Sequence, residues 1–410
     1  MRAAAALVAL LGPAAALVAR RSPVARSARS SGRTTPKAVA ELAQVAADHA
    51  HLLGPAALDT TSLVAFADQG GNLAGKFFMG SLPPYLAFLY FLGYEKNQTP
   101  PLVKFGFAYL LLFVAATIPT GLISKANWGC SLADADWLHG GAESLLTVTN
   151  VLLLIGFRSA LKGDTKAADL PAARYVSGFM AVAVVALVAA GIPVLHLGAH
   201  DAFLGGANLF GTAGEPENAL SVATWAVHVS SVCEFVLAMA LARQYAEATG
   251  NDKWKGFAWG MLPSHASGVC ACTYHLFYNQ AAMAWIVTLQ AGCTALGNTT
   301  LAYAAYRLAV SNGWTLKGAL PGGNDEASAP FDAGMLNTVS DMQPAPLVAA
   351  ELAAVSLVGA LAVKYGSLPA QDFLTTPQSA AAAALIFAVP LLVAVTVLPP
   401  LGEEPQQETI

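Results

Sequence analysis

From about Phe77 onward the chain alternates long, nearly uncharged apolar stretches with short polar loops. Nine such stretches can be marked, near 77–94, 102–123, 138–158, 174–195, 219–242, 257–278, 283–307, 347–363 and 379–398. A helix rises about 1.5 Å per residue, so about twenty residues cross roughly 30 Å of hydrocarbon. Hydrocarbon offers the backbone no hydrogen-bond partner, so a spanning segment must be a helix or part of a closed barrel. The period-two alternation of a barrel strand is missing. The expected fold class is therefore all-α, a polytopic helical membrane protein of about nine transmembrane helices. Composition agrees: 56% of residues are hydrophobic and 11% charged, against roughly 25% charged in soluble domains.

Loop charges give an independent test of the count. Loops after the first, third, fifth and seventh stretches hold eleven basic residues, among them Arg158, Lys166, Arg243, Lys255 and Arg307, whereas the alternate loops hold only Lys125 and Lys364. This is the asymmetry of the positive-inside rule, and a missed or added span would scramble it. The basic side is called cis here, the other side trans. A formal net charge of −4 and the lack of a Lys/Arg-rich run in the body of the chain exclude a polybasic nucleic-acid binder. Five cysteines, four of them deep in apolar stretches, do not make a secreted disulfide framework.

The first forty residues read as a plastid-targeting leader. An Ala-rich apolar stretch broken by Pro13 precedes an Arg- and Ser-rich run, and no acidic residue occurs before Glu41. That is the composition of a transit peptide, with a signal peptide ahead of it in a two-part leader. The alternative is a first span with a basic loop. The expected organisation is a leader (1–40), an N-terminal segment (41–76) and a three-span domain (77–160). A fourth span with its trans loop (161–218) and a second three-span domain (219–311) follow. A polar linker (312–346), two C-terminal spans (347–399) and an acidic tail (400–410) complete the chain.

Several polar side chains fall at membrane depth, where they are costly and functional by default. Measured from the cis basic residues, Asn150, Glu234, His265 and Asn298 form a layer about 12–15 Å deep. Glu143, His228, Cys270 and Cys293 form another at about 21–23 Å. On the sixth stretch His265, Cys272, His275 and Asn279 share an arc of about 80°, and on the third His139, Glu143 and Asn150 share about 60°. A buried carboxylate needs a partner, and His265 is the one expected for Glu234. The principal candidate set is thus Glu234, His265, His228, Cys272, His275 and Asn298, with His139, Glu143 and Asn150 secondary. Such groups can ligate a metal ion, haem or chlorophyll magnesium, handle protons or ions, or simply hydrogen-bond helices together. Cys270 and Cys272 lie two residues apart on different helix faces, a poor zinc pair. Ser264, Ala266, Ser267, Gly268 and Ala271 let the sixth helix approach a neighbour closely.

Two stretches resemble known families. Residues 220–312, with HVSSVCEFVLAMALARQYAEATGNDKWKGFAWGMLPSHASGVCACTYHLFYN and VTLQAGCTALGNTTLAYAAYR, resemble the hypothetical chloroplast reading frame forty-nine family of cyanobacteria and plastids. Residues 77–160, with LPPYLAFLYFLGY, FAYLLLFVAATIPTGL and ADWLHGGAESLLTVTNVLLLIGFR, are similar to a second family of photosynthetic organisms. Neither family has an assigned activity, so no catalytic residue carries over. The resemblance implies a plastid membrane, thylakoid or inner envelope, and a link to photosynthetic membrane complexes. WLHGGAESLL and WAVHVSSVCEFVL also echo one another, each placing Trp, His and Glu in order on spans of the same direction.

No nucleophile elbow, Walker loop, dinucleotide fingerprint or HExxH motif is present, and an enzyme is the least favoured class. The first expectation is an accessory or assembly factor of the photosynthetic membrane whose His/Glu/Cys layers hold a pigment or metal. The alternatives are a proton- or ion-coupled transporter using the Glu234–His265 pair, and a structural membrane protein without a ligand.

Overall fold

A computed structural model describes residues 73–128, 130–164, 220–319 and 342–398, with isolated positions within 171–178 and 336–339. The leader, most of the 41–76 segment, most of the fourth predicted span and linker, and the acidic tail lie outside the described residues. Within them every regular element is helical. The long helices are α1 (Leu73–Leu92), α2 (Pro101–Trp128), α3 (Asp136–Leu161) and α4 (Val222–Thr249). They are followed by α5 (Lys253–Gly260), α6 (Leu262–Leu276), α7 (Trp285–Ser311), α8 (Ala345–Gly366) and α9 (Ser379–Val397).

Among the described residues five segments are long and apolar enough to cross a membrane: Pro101–Ala126, Leu138–Leu161, Val222–Thr249, Ala345–Leu374 and Ser379–Val397. The sixth predicted span differs from expectation. It is interrupted for one residue at Met261, between α5 and α6. Met261 keeps right-handed helical geometry and its N–H still donates to the Phe257 carbonyl at 3.2 Å, while Pro263 has no N–H to donate into the preceding turn. Neither half alone reaches the length of a span. α1 and α7 are long helices outside that set of five, and Asn298 of α7 donates to the Ser81 carbonyl of α1 at 3.0 Å.

The helices pack through small residues and side-chain hydrogen bonds, as expected where lipid supplies no hydrophobic drive. α2 and α3 run antiparallel and touch closely at Gly106 and Gly156. A Cβ on Gly156 would lie 2.9 Å from the Val103 backbone nitrogen. α6 and α7 are held the same way: a Cβ on Gly297 would stand 2.7 Å from Ser264 N, and Ser267 Oγ donates to the Gln290 carbonyl at 3.1 Å. The small-residue face expected of the sixth helix is thus a packing face.

α3 and α4 run parallel, with Gly140 against Thr224 and the Thr147 and Ser231 hydroxyls 3.0 Å apart. α4 begins where Ser221 Oγ accepts from Thr224 N and ends where Gly250 turns to φ 65, a conformation that suits glycine. At their common N-terminal end, the Ser221 N–H donates to Asp136 Oδ1 at 2.8 Å. The fully buried Lys364 of α8 donates to the Leu220 carbonyl at 2.7 Å. Burial raises the Asp136 carboxyl above the ordinary carboxylate range, and the Ser221 and Thr224 hydrogen bonds and the Lys364 charge oppose that rise. At the other end, aromatic rings from three helices close the core: Tyr245 and Phe157 pack on Trp254 at centroid distances of 5.0 and 6.0 Å.

Candidate metal centre

Parallel packing of α3 on α4, with antiparallel α6 against α4, brings three histidines together. His139 comes from the first turn of α3, His228 from the second turn of α4, and His275 from the last turn of α6. The His139 Nε2 lies 3.1 Å from the Nε2 of His228 and 3.1 Å from that of His275. The three candidate ligand atoms all fall within 4.8 Å of one another. All three residues are buried, at 9%, 5% and 2% exposure. Trp225, one turn before His228, stands edge-on to the rings of His228 and His275 at 6.2 and 6.3 Å.

The outer ring nitrogens set the tautomers. His228 Nδ1 lies 3.0 Å from the Thr224 carbonyl, which can only accept, so Nδ1 carries the hydrogen. Asn279 directs its amide nitrogen to the Ala133 carbonyl and Asp134 Oδ1, at 3.0 and 2.9 Å. Its oxygen therefore faces His275 Nδ1, 2.8 Å away, and that nitrogen must also donate. Both neutral rings then present a lone pair at Nε2, and both lone pairs point at His139. One N–H on His139 cannot be collinear with two acceptors. A cation among the three nitrogens resolves the conflict.

Two of the three separations suit an ion. Tetrahedral zinc holds imidazole nitrogens at about 2.0–2.1 Å, which places two ligand nitrogens about 3.3 Å apart, close to the 3.1 Å from His139 to each of the other two rings. A ring N–H bonded to a carbonyl or carboxamide is the usual support for a metal-bound histidine, and two of the three rings have it.

The other sequence-derived candidates are distributed as follows. Glu143 lies one turn beyond His139 on α3. Cys272 itself packs against the Leu220, Val222 and Trp225 cluster, and Cys270 belongs to a separate cluster with Met283 and Ile286. Glu234 is not hydrogen-bonded to His265. Its Oε1 accepts from Ser230 at 2.6 Å, while Oε2 and both His265 ring nitrogens are buried without a partner. Asn150 donates to the Ser231 carbonyl at 3.1 Å. Asn298, expected in the polar set, instead ties α7 to α1.

His139, secondary in the sequence because it lies outside the segment 220–312, is the residue that joins the group. The signal for it was the echo between WLHGG and WAVHV: both histidines follow a tryptophan on parallel helices, and these two now touch. Depth counting from the cis ends misses this, because an error of one turn moves a residue about 5.4 Å.

The fold and centre describe a helical bundle of membrane type built around three buried imidazoles. Residues 219–307 match a family described as "Protein of unknown function (DUF2499)", and residues 74–162 match a second, "Protein of unknown function (DUF3593)". The chain is 52% identical over 89 residues to a "Ycf49-like protein" of Synechocystis sp., covering 22% of this chain and 86% of that protein. It is 37% identical over 84 residues to the "Uncharacterized protein ycf49" of Cyanophora paradoxa, covering 20% and 82%. The chain belongs to the Ycf49-like family, with that segment joined to another domain. No solved structure matches. His139 lies in one matched segment and His228 and His275 in the other, so the centre needs both.

Removing the support of one ring tests the geometry. Asn279→Ala should weaken zinc binding by about 10–100-fold, measured by competition with a chromogenic chelator. An affinity equal to that of the unaltered chain would show that the Asn279 bond does not orient a ligand.

Proposed function

We propose that this chain is a plastid-membrane protein that holds one divalent transition-metal ion on His139, His228 and His275, as an accessory factor of the photosynthetic membrane. The observation that carries the reading is the convergence of the three Nε2 atoms, two of them fixed as lone pairs by their outer hydrogen bonds. Three neutral imidazoles suit zinc, copper, iron or nickel, and softness alone does not choose among them. The centre favours holding over passage, since Tyr245, Phe157 and Trp254 close the core on the cis side of the polar layers. The cyanobacterial and Cyanophora relatives, together with the leader composition, support a plastid membrane.

Purified in mild detergent, the chain is expected to carry close to one equivalent of metal by elemental analysis, and His139→Ala to carry far less. Equal, near-zero content in both proteins after exposure to zinc would refute the assignment.

The same reading has nine spans with the basic loops on one side. Packing direction supports it: α1 runs parallel to α7, with Phe77 near Gly292 and Ser81 bonded to Asn298. α3 likewise runs parallel to α4. Single cysteines at positions 166 and 255 should react with an impermeant maleimide from the same face of sealed vesicles. Labelling from opposite faces would reject the nine-span arrangement.

A further inference from the structure

Two cysteines that share a depth in the sequence, Cys270 of α6 and Cys293 of α7, also meet in the fold, and the histidine centre uses neither. Both are free thiols, and the Cys270 thiol is hydrogen-bonded to that of Cys293. Cys270 is fully buried, in a cluster with Met283, Ile286 and Ile386. Cys293 is half-buried, and Leu296, almost one turn further along α7, is 54% exposed.

Helix register accounts for the contact. α6 and α7 run antiparallel on small residues: a Cβ on Gly297 would stand 2.7 Å from Ser264 N, and the Ser267 and Thr294 hydroxyls lie 2.8 Å apart. Counting forward along α6 from Ser264 to Cys270, and back along α7 from Gly297 to Cys293, moves in one direction along the pair. The steps cover about 9 and 6 Å at 1.5 Å per residue, so the two cysteines are nearly level. A disulfide needs α-carbons about 4.4–6.8 Å apart, a spacing within reach of thiols already in contact. The pair is poorly equipped for a metal. Among the described residues, the three histidines are the group of three or more side chains placed to share an ion, and structural zinc takes four ligands.

We propose that Cys270 and Cys293 are a reversible dithiol–disulfide pair that staples α6 to α7 when oxidised. The oxidant is a lipid-soluble two-electron acceptor of the quinone class, which meets the half-buried Cys293 thiol from the hydrocarbon side. One S–S bond forms and two S–H bonds break. The two electrons and two protons pass to the quinone, which leaves as the quinol. A reducing dithiol reverses the step by exchange, itself ending as a disulfide. The apolar character of the oxidant rests on the membrane reading of α7, whereas the bond itself rests on the thiol contact. Cys272 packs instead toward Leu220, Val222 and Trp225 and takes no part. The loop that the bond closes, residues 271–292, carries His275 and Asn279, so oxidation ties that end of α6 to α7.

The test is thiol counting on the full chain in lipid vesicles treated with duroquinone, whose fully substituted ring oxidises thiols rather than adding them. Denatured before treatment, the chain should titrate five thiols. After duroquinone it should titrate three, and after dithiothreitol all five again. Chymotryptic peptides should show Cys270 joined to Cys293 within one chain. Cys272→Ser should still lose two thiols, whereas Cys270→Ala and Cys293→Ala should lose none. All five thiols surviving duroquinone in the unaltered chain, or a bond between other cysteines or between two copies of the chain, overturns the proposal. The count on the unaltered chain decides the matter even where a variant fails to fold. His139→Ala should oxidise as the unaltered chain does, whatever its metal content, so the pair and the histidine centre can fail separately.

Discussion

Two lone pairs pointing at a third nitrogen, inside a bundle of apolar helices, form the interaction on which the arrangement of this core depends. In water three imidazoles would turn away and hydrogen-bond to solvent. Here Thr224 and Asn279 hold two of the rings by their outer nitrogens, and packing of α3 on α4 fixes the third. The close approach at Gly140 and Thr224 sets that packing one residue from His139. The small residues and the histidines are therefore parts of one device: the first allow contact, and the second use it.

The polar core is layered along the bundle. The histidine centre occupies the trans layer, under Trp225 and the Asn279–Asp134 contact. The hydroxyls of Thr147 and Ser231 meet beyond it, and Asn150, Glu234 and His265 follow. Tyr245, Trp254 and Phe157 then seal the cis end. Anchors at the trans end, Asp136 on Ser221 and Lys364 on Leu220, pin α3, α4 and α8 where the centre forms. These bonds take place in a low-dielectric setting, where breaking one partner leaves an uncompensated polar group.

Much of the fold was legible in the sequence because membrane helices announce themselves by length and apolarity. Starts and stops of α3, α4 and α7 follow the polar punctuation around Asp136, Ser221, Gly250 and Asn312. Pro263 is visible in the sequence, but whether a proline kinks a helix or splits it into α5 and α6 depends on the neighbours that receive the freed carbonyls. The candidate centre was only half legible. His228 stood out through its depth, and His275 through the polar stripe it shares with Asn279. His139 sits near the end of its helix, where depth counting is least certain, and its place was set by contacts between distant segments. The expected Glu234–His265 hydrogen bond is absent because matching depth does not fix the angle between two helix faces.

The most direct measurement of the central claim is X-ray absorption at the metal edge of the detergent-purified, zinc-loaded chain. The account predicts a zinc shell containing three imidazole nitrogens at about 2.0–2.1 Å, with the outer-ring scattering of histidine, reduced when His228 is replaced. A spectrum of hydrated zinc with no imidazole signature, identical in the unaltered chain and the His228 variant, would contradict it.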